Sequence, residues 1–309
     1  MARSAASVAF IGLTSSAVEG LPWPYPITGR PAMSPRLHDL SRYLQRLGFD
    51  APPPPTLATL AALQQRHSAQ FVFETVANLT RAPIALDLDA LQRKLLHDGR
   101  GGYCYELNGL FQALLRELGF DLRAVAGRVV MGGPEDALTA RTHLVALVRL
   151  DGADYLADVG FGGMVPTAPL RLDSREPQAT PHEPYRLDLR DDGYLLRAEV
   201  GGQWRALYVF DLQPLAPIDL EVGNWYVSAH PASPFRDQLL VARTGPGWRK
   251  TLNNASFAVH RLGQDSVRRE LDGPRAVMEV LEREFGLRLP PGPDVERALA
   301  RKFEAATRP

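Results

Sequence analysis

The stretch Arg-Gly-Gly-Tyr-Cys-Tyr-Glu-Leu-Asn-Gly-Leu-Phe at residues 100–111 contains the single cysteine of this 309-residue chain. From Leu107 onward the apolar residues fall at positions 107, 110, 111, 114, 115 and 118, which is the spacing of one face of an amphipathic helix. Gly119 follows and predicts the end of that helix. Cys104 lies one turn before Leu107, so the sequence predicts a cysteine at the N-terminal end of the helix.

A cysteine at the start of a helix is suited to nucleophilic chemistry. The unpaired N–H groups and the positive dipole end of the first turn favour a thiolate over a thiol. Gly101 and Gly102 carry no Cβ, so the backbone can approach another group closely at these positions. The alternative is a buried cysteine that acts as a small, inert apolar side chain. A nucleophile also needs a base and a group that orients the base.

His143 and Asp158 are the candidates for that base and its orienting partner. His143 opens one apolar run, and Asp158 stands inside a second run, where a carboxylate is costly unless it has a role. If the turn between the two strands has an even number of residues, alternation along them puts both side chains on the same face. A turn centred on Gly152–Ala153 would leave Asp158 opposite Leu147, roughly 13 Å from His143, so a shifted turn or a bulge is required. The alternative is an aspartate that caps loop amides.

The chain around these residues divides into a helical first third, a strand-rich middle and a last third that contains helices. Strands are predicted by alternating apolar residues over 120–130, 143–150, 155–159, 185–189, 194–200, 239–243 and 256–262. Later helices are predicted over 275–285 and 294–306. This order is typical of an α+β, multi-domain arrangement. We predict a helical domain over 34–119, a β domain over 120–210 and an α/β domain over 211–309.

Residues 1–33 differ from the rest because they have few charges and no helical periodicity. We interpret them as an unstructured leader. The alternatives are a functional arm and a signal peptide, since a short apolar run, Ala5–Leu13, follows Arg3. Ser34 is a good N-cap and Pro35 suits a first helical position, so the folded part is predicted to begin there.

Composition excludes several classes of function. The 35 Lys and Arg residues balance 35 Asp and Glu residues, so there is no basic field for nucleic acid or anionic lipid. No run of about 18 apolar residues is present, which predicts that the chain does not span a membrane. One cysteine excludes an internal disulfide framework and a cysteine-rich metal site. Three histidines, His38, His67 and His97, fall at polar helical positions and are predicted to lie on the surface.

The motifs of the chain resemble those of the arylamine N-acetyltransferase family, in its bacterial form. The matching motifs are Arg-Gly-Gly-Tyr-Cys-Tyr-Glu at 100–106, Arg-Thr-His-Leu at 141–144, Asp-Val-Gly-Phe-Gly-Gly at 158–163 and Asn-Trp at 224–225 with His-Pro at 230–231. The resemblance runs from about Ser34 to Leu289. It implies an N-terminal helical bundle, a central β-barrel and a C-terminal α/β lid. It also implies a Cys–His–Asp core like that of cysteine proteases and transglutaminases.

The resemblance implies a specific reaction. Cys104, His143 and Asp158 would be the catalytic residues of a ping-pong transfer through an acetyl-cysteine, with acetyl-CoA as co-substrate and an arylamine or arylhydrazine as acceptor. It implies no bound cofactor and no metal. The same resemblance implies a cytoplasmic enzyme without nucleic-acid or membrane partners, and it leaves the oligomeric state open.

Further residues take roles from the family pattern. Those implied to contact CoA are Thr139, His230 and Ser233; those implied to line the acceptor pocket are Phe73, Phe161 and Val165; and those implied to form an ion pair are Glu74 and Arg100. The chain departs from the pattern in two places. It has Val-Phe-Glu-Thr-Val at 72–76 where family members have Pro-Phe-Glu-Asn-Leu, and Arg-Ala at 81–82 where they often have Gly-Arg. The first departure lies near the acceptor pocket, so the acceptor preference is open.

Three other functions compete with acetyl transfer. An amide synthase of the same fold would have the same three residues, but a wider cleft for a carrier-bound acyl chain that closes to a macrolactam. A cysteine hydrolase or transglutaminase-like enzyme would use water or lysine as acceptor. A non-catalytic binding module would have no use for a complete Cys–His–Asp set.

Overall fold

The computed structural model describes residues 37–307, and these form eight α-helices and twelve β-strands. The helices are α1 (Leu40–Arg46), α2 (Leu57–Gln70), α3 (Val76–Leu79), α4 (Leu88–Gln92), α5 (Cys104–Glu117), α6 (Pro217–Ala229), α7 (Pro274–Arg283) and α8 (Asp294–Thr307). The strands are β1 (Phe73–Glu74), β2 (Asp121–Val129), β3 (Arg141–Leu150), β4 (Ala153–Ala157), β5 (Leu170–Arg171), β6 (Tyr185–Arg190), β7 (Gly193–Val200), β8 (Gln203–Phe210), β9 (Leu240–Gly245), β10 (Trp248–Asn253), β11 (Ser256–Arg261) and β12 (Val267–Glu270). Three short turns complete the order: a π-helical turn at Arg93–His97 and 3-10 turns at Gly162–Met164 and Pro234–Arg236. None of the described helices is long and apolar enough to cross a bilayer.

The N-terminal helices bury the apolar stripe predicted for residues 107–118. One core cluster contains Leu107, Phe111 and Leu114 of α5 together with residues of α1, α2 and α4. The first helix begins at Leu40, later than predicted; Ser34, Pro35 and the predicted leader 1–33 lie outside the described residues.

Seven strands form one antiparallel sheet in the order β5-β4-β3-β2-β8-β7-β6. All seven contribute to a single buried cluster, from Leu170 on one edge strand to Leu187 on the other. A flat sheet could not bring both edges to one core, so the sheet is curved into a nearly closed barrel. This confirms the predicted α+β class with a central β-barrel.

A second sheet, in the order β1-β9-β10-β11-β12, carries α7 and α8 on its buried side. Strand β1 comes from the N-terminal part of the chain, since Phe73 pairs with Ala242 and Glu74 with Val241. The described residues belong to one compact unit. The domain boundaries at 119/120 and 210/211 stay a prediction.

The sequence patterns did not predict helices α3 and α6 or strands β1, β5, β8, β10 and β12. Helix α6 contains a glycine because it packs closely on Tyr105. A Cβ on Gly223 would lie 2.1 Å from the Tyr105 hydroxyl, so no larger residue fits at this position. His67 was predicted on the surface, but its side chain is wholly buried among Tyr43, Phe71 and Phe111.

Candidate active site

Cys104 is the first residue of α5, as the apolar spacing predicted, and is only 5% exposed. The carboxylate of Glu106 accepts a hydrogen bond from the Tyr103 amide at 3.1 Å, and so satisfies a donor that the helix itself leaves unpaired. Lys94, in the π-helical turn, lies 2.6 Å from the other Glu106 oxygen and supplies its counter-charge. These contacts fix the backbone on which Cys104 stands.

Gly101 and Gly102 are required by close packing. A Cβ on Gly101 would lie 2.3 Å from the carbonyl oxygen of Val72, and a Cβ on Gly102 would lie 2.8 Å from the Cβ of Glu106. The Gly102 amide donates to the Val72 carbonyl at 3.1 Å, and its own carbonyl accepts from the Glu74 amide at 2.9 Å. The two glycines therefore lock the start of α5 to strand β1.

The β3–β4 hairpin brings Asp158 towards His143. Asp151 and Gly152 form its two-residue turn, both with positive φ, 48° and 80°, as a type I′ turn requires. The resulting register puts Asp158 across from Val145, two residues nearer to His143 than a turn centred on the next residue would. The Asp-Gly turn at 151–152 is thus the shifted turn that the spacing requires, and the predicted parity of the two side chains is kept.

A bulge lies beside His143. Strand β2 pairs Gly127 with His143 and Arg128 with Arg141, so Thr142 is an extra residue on β3. Bulges turn the side chains next to them, and this one is found where the histidine leaves the regular ladder.

Asp158 lies at the centre of a hydrogen-bond network. One carboxylate oxygen accepts from His143 Nε2 at 2.7 Å and from the Tyr208 hydroxyl at 3.0 Å; the other accepts from Asn108 Nδ2 at 2.9 Å and from the Gly160 amide at 2.8 Å. Burial opposes its charge, but His143 and the hydrogen bonds outweigh burial and lower the pKa of Asp158 below its ordinary value. The carboxylate is therefore ionised, although its side chain is wholly buried.

The thiol of Cys104 has the opposite tendency. Burial raises its pKa to about 12, and the negative charge of Asp158 adds to that effect. The amides of Leu144 and Tyr105 act against it by donating towards the sulfur. Burial therefore opposes the thiolate that the helix start is expected to favour. A cation beside the sulfur is needed.

Sequence reasoning missed Asn108, Tyr208 and Gln64. Asn108 could have been found, because it is a polar residue one turn after Cys104 on an otherwise apolar helix face. Tyr208 lies on β8, which was not predicted. Gln64 donates to the Asp158 carbonyl at 3.2 Å and fastens the loop after it to α2.

Cys104 and His143 line one cavity of about 240 Å³. Phe73 and Phe161, the residues predicted to line the acceptor pocket, also line this cavity. The Phe161 ring packs edge-on against the His143 ring, with 4.8 Å between the ring centroids. Val165 is not among the lining residues; it is buried, and its carbonyl accepts from the Tyr185 hydroxyl at 3.0 Å. Over residues 37–307, no group of three or more His, Cys, Asp or Glu side chains is arranged to hold a metal ion.

The three residues predicted to contact CoA do not line this cavity. Thr139 donates its hydroxyl to the Val129 carbonyl at 3.0 Å, and Ser233 donates to the Val227 carbonyl at 2.6 Å. The His230 ring accepts from a backbone amide two residues on, at 3.2 Å. Their contacts with CoA stay a prediction.

The predicted pairing of Glu74 and Arg100 is present, at 3.2 Å, with Glu74 wholly buried. Next to it, Thr75 stands where the family pattern has Asn. Its hydroxyl accepts from the Leu240 amide and donates to the Gln238 carbonyl, each at 2.9 Å. This departure keeps β1 attached to β9 beside the cavity.

Comparisons with known proteins agree with this geometry. Residues 56–294 match a family described as N-acetyltransferase. The arylamine N-acetyltransferase of Mycolicibacterium smegmatis is 45% identical over 255 residues, which are 81% of this chain and 92% of that protein. That of Escherichia coli is 38% identical over 249 residues, 80% and 88% of the two chains. The structure of Mycobacterium marinum arylamine N-acetyltransferase in complex with CoA superposes with a TM-score of 0.81, at 41% identity over 85% of this chain and 99% of that one. The chain belongs to the arylamine N-acetyltransferase family.

Proposed function

We propose that this chain transfers the acetyl group of acetyl-CoA to the nitrogen of aromatic amines and hydrazines, through an acetyl-cysteine on Cys104. One observation carries the proposal: a buried cysteine at a helix start shares an apolar cavity with a histidine that is hydrogen-bonded to an ionised aspartate. This is the arrangement of a nucleophile, a base and an orienting group. The similarity to arylamine N-acetyltransferases supports the choice of substrates.

In the first half-reaction His143 takes the proton of the Cys104 thiol. Asp158 assists this transfer because its charge stabilises an imidazolium and its hydrogen bond holds the ring by the Nε2 atom. The thiolate attacks the thioester carbonyl of acetyl-CoA, and the bond between the carbonyl carbon and the CoA sulfur breaks. Imidazolium returns the proton to the CoA thiolate, so acetyl-enzyme and free CoA remain.

In the second half-reaction the acceptor nitrogen attacks the acetyl carbonyl on Cys104. His143 takes the proton that the nitrogen loses, and the bond to the Cys104 sulfur breaks. The thiolate and imidazolium then recombine to the starting state. Arylamines and hydrazines fit this step because they are neutral near pH 7, whereas an alkylamine such as lysine, with a pKa of about 10.4, is protonated.

The remaining assignments belong to the same proposal. Phe73 and Phe161 hold the acceptor ring, and their position in the cavity supports this role. CoA lies along Thr139, His230 and Ser233. We place the reaction in the cytoplasm, where glutathione and thioredoxin keep thiols reduced.

The test is the mass of the intact protein. Mixing with acetyl-CoA is expected to add one acetyl group, and adding an aromatic amine is expected to remove it. Cys104→Ser, in which a hydroxyl replaces the thiol, is the matched control and should not gain the group. An unmodified wild-type protein would contradict the proposal.

The amide-synthase alternative is not favoured. A macrolactam precursor needs a wide cleft, and about 240 Å³ is at the small end for a ligand site. A transglutaminase-like enzyme would bring a cationic lysine into a cavity whose described lining contains no Asp or Glu.

A further inference from the structure

The cavity in front of Cys104 has an uncharged wall apart from the imidazole of His143. Of the described residues that line it, none is Asp, Glu, Lys or Arg. A charge on a bound ring would therefore find no counter-charge on the wall.

A cation lies immediately behind this wall. Arg249 and Thr251 are alternate residues of β10 and so point to the same face, and Thr251 lines the cavity. The backbone of Gly163 presses against both: a Cβ there would lie 3.0 Å from the Thr251 methyl and 3.7 Å from Arg249 Cδ. The stem of Arg249 is thus packed against the loop that forms the wall.

The guanidinium of Arg249 is already paired with Glu183. The two side chains form a hydrogen-bonded salt bridge in which each residue is at least 94% buried. Burial raises the pKa of Glu183 and the charge of Arg249 opposes that rise. The adjacent His182 is kept neutral, because burial and then Arg249 lower its pKa to about 4. Glu183 therefore neutralises the positive charge of Arg249, which could otherwise pair with an anionic group on the substrate.

We propose that this arrangement is a charge filter: the site accepts uncharged aromatic amines and hydrazines and rejects those whose ring carries a carboxylate. An amine that reaches the acetyl group on Cys104 brings its ring between Phe73 and Phe161, and a ring-bound carboxylate must lose hydration there without a partner. Arg249, the nearby cation, cannot stabilise this carboxylate because it is already paired with Glu183. The inference rests on the proposed function and adds the acceptor class to it.

The wild-type protein tests the filter without any mutation. The acetyl-enzyme is first formed with acetyl-CoA and verified by mass; its discharge is then followed with 4-aminobenzoate and with methyl 4-aminobenzoate. The ester group withdraws electrons more strongly than the carboxylate, so the ester is intrinsically the weaker nucleophile. We expect the ester nevertheless to have at least a tenfold higher kcat/KM. Equal values, or a preference for the acid, would overturn the filter and leave the proposed function standing. Failure to form acetyl-enzyme would overturn both.

Two variants test the role of the pair. Glu183→Gln releases Arg249 and is expected to raise kcat/KM for the acid relative to the ester at least threefold, whereas Glu117→Gln, at an exposed position of α5, should leave the ratio unchanged. If Glu183→Gln does not fold, Asn253→Arg at the exposed rim adds a cation without disturbing the pair, and the same shift in ratio is expected. An unchanged ratio in the folded variant would contradict the filter.

Discussion

Asp158 and His67 are both wholly buried and both titratable, yet their surroundings are opposite. Asp158 accepts hydrogen bonds from four donors, and its pKa is lowered, so it stays charged. His67 packs against aromatic rings, and within the described part of the chain neither ring nitrogen has a hydrogen-bond partner. Burial lowers the pKa of His67 to about 3, so it stays neutral.

The difference shows that hydrogen-bond partners decide whether a buried titratable side chain in this fold is charged or neutral. A buried charge persists only where several donors converge on it. Here those donors come from α5, β3, β8 and the loop after β4, that is, from both the helical and the barrel regions. A buried titratable side chain without such partners is compatible with the folded state only when it is uncharged.

Asp158→Asn should have the largest effect. The substitution removes the charge that supports the His143 cation and can favour the wrong tautomer, which in a comparable triad costs about 10⁴ in rate. We expect acetyl-enzyme formation to slow by at least about 10²-fold while the fold is retained. Stopped-flow or quench measurements with acetyl-CoA would check this, and a less than tenfold change would mean that Asp158 only caps the loop.

Asn108→Leu should slow acetyl-enzyme formation by about 10- to 100-fold and lower the stability by about 1–3 kcal/mol. The amide donates to Asp158 and to the Leu144 carbonyl, and it accepts from the Val159 amide at 2.9 Å.

Asn78→Leu is the matched control for Asn108. Asn78 is equally buried, and among the described residues its amide atoms have no hydrogen-bond partner. Its removal should leave the rate unchanged. Similar rates in the two variants would refute the idea that the Asn108 contacts matter for the reaction.

Tyr208→Phe should have a smaller effect, because it removes one of four hydrogen bonds and preserves the ring that packs on His143 at 4.8 Å. A loss of about three- to tenfold in the acetylation rate is expected, equivalent to about 1 kcal/mol. Tyr43→Phe is the control, since the Tyr43 hydroxyl is buried and has no partner in the described residues. A Tyr208 variant as active as the Tyr43 variant would contradict this prediction.

His67→Phe should leave the rate unchanged and alter only the response of stability to pH. The unfolded chain protonates His67 below a pH of about 6.5, whereas the folded protein does so only near pH 3. Between these values the unfolded state binds more protons, so stability falls as the pH is lowered through the window. Urea unfolding should show that the free energy of unfolding falls by about 2 kcal/mol more in the wild type than in the variant between pH 7 and pH 5. The same loss in both proteins would contradict the prediction.

Sequence reasoning predicted the parts of the site that depend on local pattern. The apolar spacing after Cys104 fixed the helix start, and alternation put His143 and Asp158 on one face. It left the register open, because a turn centred one residue later is also compatible with the alternation and would pair Asp158 with Leu147 instead of Val145. It also missed partners from distant strands such as Tyr208, since a contact 50 residues from Asp158 leaves no local periodicity.

The most direct test of the account is the alkylation of Cys104 by iodoacetamide as a function of pH, in the wild type and in Asp158→Asn. No other cysteine is present to confuse the signal. Burial alone would keep the thiol protonated, so reactivity near neutral pH requires the imidazolium that Asp158 stabilises. We predict that the wild type is alkylated well below the free-thiol pKa of about 8.5, and that the Asp158→Asn profile is shifted to higher pH. Superimposable profiles would contradict the account and reduce the mechanism to Cys104 and His143 alone.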